Sequence, residues 1–282
     1  MYAVERLIDL ALEEDIGTGD ITTEAIIPEE AMGEGLILAK EEGVVPAGFS
    51  VAQRVFEKLD KNVVFSPLVA EGSPVESGTL LLRLEGRMRA LLTGERTALN
   101  FLQRLCGIAT HVRRFGAGME ESGILLVDTR KTTPGWRVLE KYAVRVGGAA
   151  NHRMGLYDGV LIKDNHIAAA GGIAQAMAAV RKRVSHLIRI EVEAETLEEV
   201  DEAVAGGADV ILLDNMDAAM VAEAVRRIGG RSLVEVSGMV TPERMKTLAL
   251  AGVNIISAGA LTHQARAVDL SMRIAPPGGL FR

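Results

Sequence analysis

One cysteine, Cys106, is all the thiol chemistry that this 282-residue chain holds. A lone thiol excludes an internal disulfide framework and a multi-cysteine zinc site. No apolar run approaches the ~20 residues that a membrane-spanning helix requires. Nor do the first residues, Met1-Tyr2-Ala3-Val4-Glu5-Arg6, place a basic segment ahead of an apolar one, so no secretory signal is evident. A cytoplasmic protein with no membrane partner is the reading that follows. Positive charge is also in short supply. The net charge of −7 argues against a general nucleic-acid binder.

The charge that is present has a pattern. Between Asp128 and His166 stand seven Lys or Arg against four acids, a net of +3 that leaves −10 for the rest. Such a cationic island on an acidic chain concentrates a small anion without attracting polyanions everywhere. A chain of 282 residues suffices for two modest domains. Val4, Leu7, Ile8, Ala11 and Leu12 fall on one helical stripe, so the chain opens with an amphipathic helix. Residues 35–85 read as strands (36–39, 44–45, 63–65 and 80–84) without long helices between them, which predicts a mostly antiparallel layer. Residues 87–105 read as a helix with Leu91, Leu92, Ala98, Leu99, Leu102 and Leu105 on its apolar side. The domain division is placed at Cys106, with that thiol packed at the junction. In the tail, Val268, Leu270, Met272 and Ile274 alternate with polar residues, the pattern of a strand returning to the first sheet. The domains are then 1–106 together with 266–282, and 107–265.

From residue 125 onward, six short apolar runs end on polar or charged residues. They are Leu125–Arg130, Asp158–Lys163, Ile188–Glu193, Val210–Asp214, Leu233–Gly238 and Asn254–Gly259. Each interval is long enough for a loop, a helix and the next strand, the signature of repeated βα units in a parallel sheet. Six units are two short of a closed eightfold barrel, which predicts an open one. The fold class is therefore α/β, an N-terminal α/β sandwich followed by an open parallel α/β barrel. Ligands of such folds sit at the carboxyl ends of the strands. Those ends supply cations first (Arg130, Lys163), then carboxylates (Glu193, Asp214), then small hydroxyl and glycine positions. That order suits a highly anionic substrate that also carries a metal or sugar hydroxyls. Glu191 and Glu193 share a strand face, as do Glu235 and Ser237, and Asp128 and Arg130. Polar pairs of this kind predict a wet barrel mouth.

The run Asp128-Thr129-Arg130-Lys131-Thr132-Thr133-Pro134-Gly135, then Asn151-His152-Arg153 through Tyr157-Asp158, then Ile162-Lys163-Asp164-Asn165-His166, closely resembles the quinolinate phosphoribosyltransferase family. The resemblance takes in Glu14–Thr23, Gly94–Asn100, Ile190–Glu193, Leu212–Asn215 and Glu235–Gly238, in order and without departure at the positions the family uses. It implies conversion of quinolinate and phosphoribosyl pyrophosphate to nicotinate mononucleotide, pyrophosphate and CO2, in NAD biosynthesis. It also implies a homodimer with shared sites, or a higher oligomer of such dimers, with Arg96 supplied by the partner subunit. Thr129, Arg130, Lys131, His152, Arg153 and Lys163 would surround quinolinate and the pyrophosphate. Glu193 and Asp214 would hold ribose hydroxyls and Mg²⁺, directly or through water or pyrophosphate. Ser237-Gly238-Met239 and Ala258-Gly259-Ala260 would cradle the 5′-phosphate. Lys131, Lys163, Glu193 and Asp214 would be the catalytic set.

Elementary chemistry agrees with that assignment. A dicarboxylate favours the planar fork of arginine over lysine, and Arg130, Arg153 and Arg96 meet that need. A departing polyanion needs Mg²⁺ and a cation, for which Lys131 or Lys163 serves. Two other classes compete. Lys163 at a strand end could be the imine-forming lysine of an aldolase-like lyase. A non-catalytic sugar-phosphate sensor would leave the Glu193 and Asp214 pair without a purpose. Trp136 is read as a packing residue, and His166 as orienting the Lys163 loop.

Overall fold

The structure, a computed structural model, describes residues 2–119, 122–238 and 240–279. Along the chain run α1 (Tyr2–Ile16), α2 (Ile21–Ile26), β1 (Met32–Ala39), α3 (Phe49–Leu59), β2 (Val64–Pro67), β3 (Leu80–Arg87) and α4 (Met88–Phe115). There follow β4 (Leu125–Val127), α5 (Arg137–Val146), β5 (Val160–Ile162), α6 (Asp164–Ala170), α7 (Ile173–Arg181), β6 (Ile190–Ala194) and α8 (Leu197–Ala205). The last elements are β7 (Val210–Asp214), α9 (Ala218–Ile228), β8 (Leu233–Ser237), α10 (Pro242–Leu250), β9 (Ile255–Ser257), α11 (Ala260–His263) and β10 (Leu270–Ala275). Among the described residues no helix is long and apolar enough to cross a membrane. The chain folds as two compact units, Met1–Arg114 with Thr132–Gly148 and Leu261–Arg282, and Phe115–Lys131 with Ala149–Ala260.

The first unit is built on a four-stranded antiparallel sheet in the order β10-β1-β3-β2. The tail thus supplies an edge strand beside β1. Helix α1 buries Ile8 and Leu12, two of the stripe residues read from sequence. The reading of 35–85 as strands alone is corrected. Val44 makes only an isolated bridge to Val75, and α3 intervenes at Phe49–Leu59. Phe49, Ala52, Val55 and Phe56 recur at helical spacing and are buried, and that period outweighs the strand preference of Val51 and Val55.

Helix α4 runs through Cys106-Gly107 without a break. A Cβ at Gly107 would lie 2.1 Å from the Arg266 carbonyl oxygen, so only glycine lets the returning chain pass. By contacts the first unit runs on past Cys106 to Arg114. Cys106 is buried inside that unit, where its sulfur accepts from the Ala47 N–H at 3.3 Å and burial pushes its thiol up to about 12. Residues 132–148, expected in the second domain, belong to the first unit, and fully buried Glu140 gives the reason. Its Oε1 accepts from Arg104 Nη2 at 2.8 Å and from the Thr133 hydroxyl at 2.8 Å. Trp136 stacks on Phe101 with ring centroids 4.9 Å apart. These contacts tie the loop before α5, and α5 itself, to α4.

The second unit is a six-stranded parallel sheet in the order β4-β9-β8-β7-β6-β5. Its first and second strands in sequence stand at opposite edges and do not pair, so the barrel is open. One face of the strands is apolar, with Val192, Ile211, Leu213, Val236 and Ile256 fully buried in a core shared with residues of α7 to α10. The other face carries the polar residues. Ala149–Arg153 lies along the free edge of β4. Ala150 N–H donates to the Leu126 carbonyl at 2.8 Å, and Val127 bridges Ala150 in parallel sense. This short seam carries Asn151, His152 and Arg153 to the mouth of the barrel.

Candidate active site

Strand register arranges the polar face in layers. Glu191 of β6 pairs with Val210 of β7 and with Leu161 of β5. One layer up, Glu193, Leu212, Glu235 and Ile255 follow one another across β6, β7, β8 and β9. Asp214, Ser237 and Ser257 form the layer at the strand ends. The wet mouth expected for these pairs is corrected at Glu191, Glu193 and Glu235, which are buried at 7%, 8% and 2% exposure, while Arg130 and Ser237 are not buried. Side chains alternate every second residue, so the inner face continues below the rim into the closed interior.

Above these layers opens a cavity of about 350 Å³. Its walls include Thr129, Arg130, Lys131, His152, Arg153, Lys163, Glu193, Asp214 and Ser237, nine of the fifteen residues singled out from sequence. Leu161, Leu212, Glu235 and Ser257 complete it. Each side chain is held by its own element. Past the end of β4 the Thr129 hydroxyl accepts from the Lys131 N–H at 3.1 Å, turning the chain so that both neighbours line the cavity. Fully buried Asp128 accepts from Asn151 Nδ2 at 2.6 Å and from the His152 N–H at 2.9 Å, pinning the seam to β4. Arg153 Nη1 donates to the Gly159 carbonyl at 2.9 Å. Burial first, and the charge of Arg130 second, lower the Arg153 pKa, as expected of two cations facing one pocket.

Across the cavity Lys163 Nζ lies 2.5 Å from Glu193 Oε2. His166 Nδ1 accepts from the Lys163 N–H at 3.1 Å, closing the first turn of α6 and fixing the residue that carries the ammonium. Asp214 Oδ2 accepts from Asn215 Nδ2 at 2.9 Å. Asn215 has φ of +53°, and Gly238 has φ of +83°, a left-handed conformation that strains any side chain, with Asn215 Oδ1 only 2.1 Å from where its Cβ would lie.

The remaining sequence-singled residues lie elsewhere. Gly238, Ala258, Gly259 and Ala260 follow β8 and β9 but are not among the residues lining the cavity. The Ala258 N–H already donates to the Val127 carbonyl at 3.0 Å. Met239 lies outside the described residues. Arg96 is exposed on α4, in the first unit.

Three comparisons bear on this geometry. Family models described as the quinolinate phosphoribosyl transferase N-terminal and C-terminal domains match residues 20–106 and 108–273. The chain is 44% identical over 271 residues to a probable nicotinate-nucleotide pyrophosphorylase [carboxylating] of Bacillus subtilis (strain 168), covering 96% of this chain and 93% of the relative. The chain belongs to the quinolinate phosphoribosyltransferase family. A chloroplastic nicotinate-nucleotide pyrophosphorylase [carboxylating] of Arabidopsis thaliana is 41% identical, over 97% of this chain and 83% of its own. Among solved structures, NadC from Streptococcus pyogenes superposes with a TM-score of 0.91 at 40% identity, covering 98% of this chain and 97% of that one. The nicotinate-nucleotide pyrophosphorylase of Francisella tularensis gives 0.89 at 38% identity, covering 97% and 96%.

For a quinolinate phosphoribosyltransferase chain, sequence reasoning placed Glu235 and Ser257 at the strand ends without naming them as site residues, and overlooked Leu161 and Leu212 as cavity walls. All four sit on the inner face at the register of residues that were named, and the period of two was the available signal. Glu195 was missed as well. Its carboxylate, with those of Glu193 and Asp214, forms a set whose oxygens lie within 4.8 Å of one another. Oxygen-only donors on adjacent strand ends suit Mg²⁺.

A second set, His152, Glu191 and Glu235, also lies within 4.8 Å. Here His152 Nδ1 accepts from the Arg153 N–H at 2.8 Å, so the ring proton is on Nε2, which faces Glu191 Oε2 at 3.1 Å. A nitrogen that carries a proton has no lone pair for a metal.

Burial pushes the Glu235 carboxyl up to about 7 from its ordinary 4.5; the Glu191 carboxylate adds to the rise and His152 partly offsets it. The native state therefore holds an extra proton between those pH values. Stability contributed at this position is present below pH 4.5 and is lost as pH rises through 7. Thermal melts of wild type and Glu235→Gln across pH 4.5 to 8 should show it: the wild type loses stability relative to the variant as pH rises, and parallel curves would refute the shift.

Proposed function

We infer that the protein is a quinolinate phosphoribosyltransferase that joins quinolinate to phosphoribosyl pyrophosphate and yields nicotinate mononucleotide, pyrophosphate and CO2 for NAD biosynthesis. The observation that carries this reading is one cavity in which Arg130, Arg153, Lys131 and Lys163 meet Glu193 and Asp214. Arg130 and Arg153 hold the two carboxylates of quinolinate, and His152 packs beside them. Lys131 and Lys163 face the pyrophosphate and neutralise the charge that grows on it as its bond to the sugar breaks. Glu193 and Asp214 orient the ribose hydroxyls and, with Glu195, would hold Mg²⁺, which supplies Lewis-acid stabilisation of the leaving pyrophosphate. Ser237, with the backbone of Gly238-Met239 and Ala258-Gly259-Ala260 beyond β8 and β9, takes the 5′-phosphate.

No protein nucleophile is needed. The pyridine nitrogen forms the new bond to C1 of the ribose while the bond from C1 to the pyrophosphate oxygen breaks. The nitrogen is then cationic and stabilises the electron pair left at C2 when the carboxylate departs as CO2. A proton then fills C2. Placement and electrostatics are the work left to the side chains. The protein acts as a cytoplasmic homodimer in which Arg96 of each subunit completes the other's site.

Incubation with quinolinate labelled at the C2 carboxylate, phosphoribosyl pyrophosphate and Mg²⁺ is expected to release labelled CO2 and accumulate nicotinate mononucleotide. Chelation with EDTA should abolish turnover, and excess Mg²⁺ should restore it. Absence of the nucleotide in the complete mixture would overturn the assignment.

A further inference from the structure

We propose that Glu191 is a positioning residue for quinolinate, acting through the imidazole of His152, with Glu235 as its buried neighbour. The inference rests on the functional reading above, because it takes His152 as part of the quinolinate pocket.

The ring is held at both nitrogens. Nδ1 accepts from the Arg153 N–H at 2.8 Å, and Nε2 lies 3.1 Å from Glu191 Oε2 and 3.6 Å from Glu235 Oε1. The backbone N–H of the same residue is fixed by Asp128 at 2.9 Å. With both nitrogens turned to the protein, His152 offers the cavity a ring surface of set orientation, beside which the pyridine can lie.

The carboxylates that impose this are costly ones. Both are more than nine-tenths buried, and Glu191 Oε1 and Glu235 Oε1 have no hydrogen-bond partner among the described residues. Two adjacent buried acids oppose folding. The same inner face is aliphatic at the paired positions: Leu161 and Val210 flank Glu191, and Leu212 and Ile255 flank Glu235. The barrel thus packs leucine and valine at this depth, so the acids are not required by the fold. What Glu191 does locally is accept the proton of His152.

The test compares Glu191→Leu, which matches its neighbours in shape, with Glu191→Gln, whose carbonyl can still accept the Nε2–H. Glu191→Leu is expected to raise the KM for quinolinate about tenfold or more, the loss of one hydrogen bond to a charged group, while phosphoribosyl pyrophosphate affinity stays within about twofold. Glu191→Gln should recover most of that loss. Adding Glu191→Leu to His152→Ala should cost nothing further, since both remove one interaction. Nitrogen NMR of His152 should show the single Nε2–H tautomer in wild type and a mixture in Glu191→Leu. A purely structural role would shift both substrates together and leave the tautomer alone. If wild type makes no product, the functional reading fails. If wild type turns over and Glu191→Leu keeps an unchanged quinolinate KM and tautomer, this inference alone fails.

Discussion

Arg130→Ala should raise the KM for quinolinate about 100-fold and leave phosphoribosyl pyrophosphate binding within about threefold. A charge-assisted hydrogen bond contributes about 1.5–3 kcal/mol, and a guanidinium grips a carboxylate with two. The substrate carboxylate left behind has exchanged water for a pocket that no longer answers it, which adds to the loss. Arg153 cannot compensate, because in the proposed pocket it already holds the other carboxylate. Lysine at position 130 keeps the charge but loses the planar fork, so its KM should fall between wild type and alanine. Steady-state kinetics with each substrate varied in turn will decide. Equal losses for both substrates would show that the two halves of the pocket are not divided as proposed.

Lys163→Ala is expected to strike kcat instead, by about 100- to 1,000-fold, the usual effect of removing one preorganised charge from a developing anion. Two consequences combine. The leaving pyrophosphate loses a cation, and Glu193, only 8% exposed, loses the ammonium that sits 2.5 Å away. A change confined to KM would remove Lys163 from the chemical step. The same variant tests the shared site. Lys163→Ala and Arg96→Ala subunits, each inactive alone, should regain about a quarter of wild-type activity when mixed and reassociated. Half of random twofold dimers are mixed, and each mixed dimer holds one intact site of two. No recovery would place Arg96 outside the partner's site.

The sequence made the barrel strands, and the strand ends that line the cavity, readable for one reason. Short apolar runs rich in Val, Ile and Leu, each closed by a charged or hydroxyl residue, have few other readings at that spacing. Arg130, Lys163, Glu193 and Asp214 could be named from that pattern alone, and the family resemblance added Lys131, His152 and Arg153. Helix α3 was not seen because β-branched Val51 and Val55 stand inside it. The depth of Glu191 and Glu235 was hidden because alternation tells which face a residue occupies, not how far below the rim it lies. Membership of residues 132–148 depended on Arg104 reaching Glu140, 36 positions away, a contact that no local pattern encodes. The orientation of His152 depended on the neighbouring backbone N–H, a contact set by local backbone geometry that residue types do not encode.

The separation of the two outermost strands of the second sheet has an electrostatic meaning. Arg130 and Lys131 follow β4, Lys163 follows β5, and these are the two outermost strands. In a sealed cylinder they would be neighbours, less than 5 Å apart from strand to strand, with like charges crowded together. Leaving the cylinder unsealed keeps the two positive groups on separate banks, with the seam residues His152 and Arg153 between them. On the proposed function an incoming anion would relieve their mutual repulsion from both sides at once, which would make the missing staves of the barrel part of how it attracts its cargo.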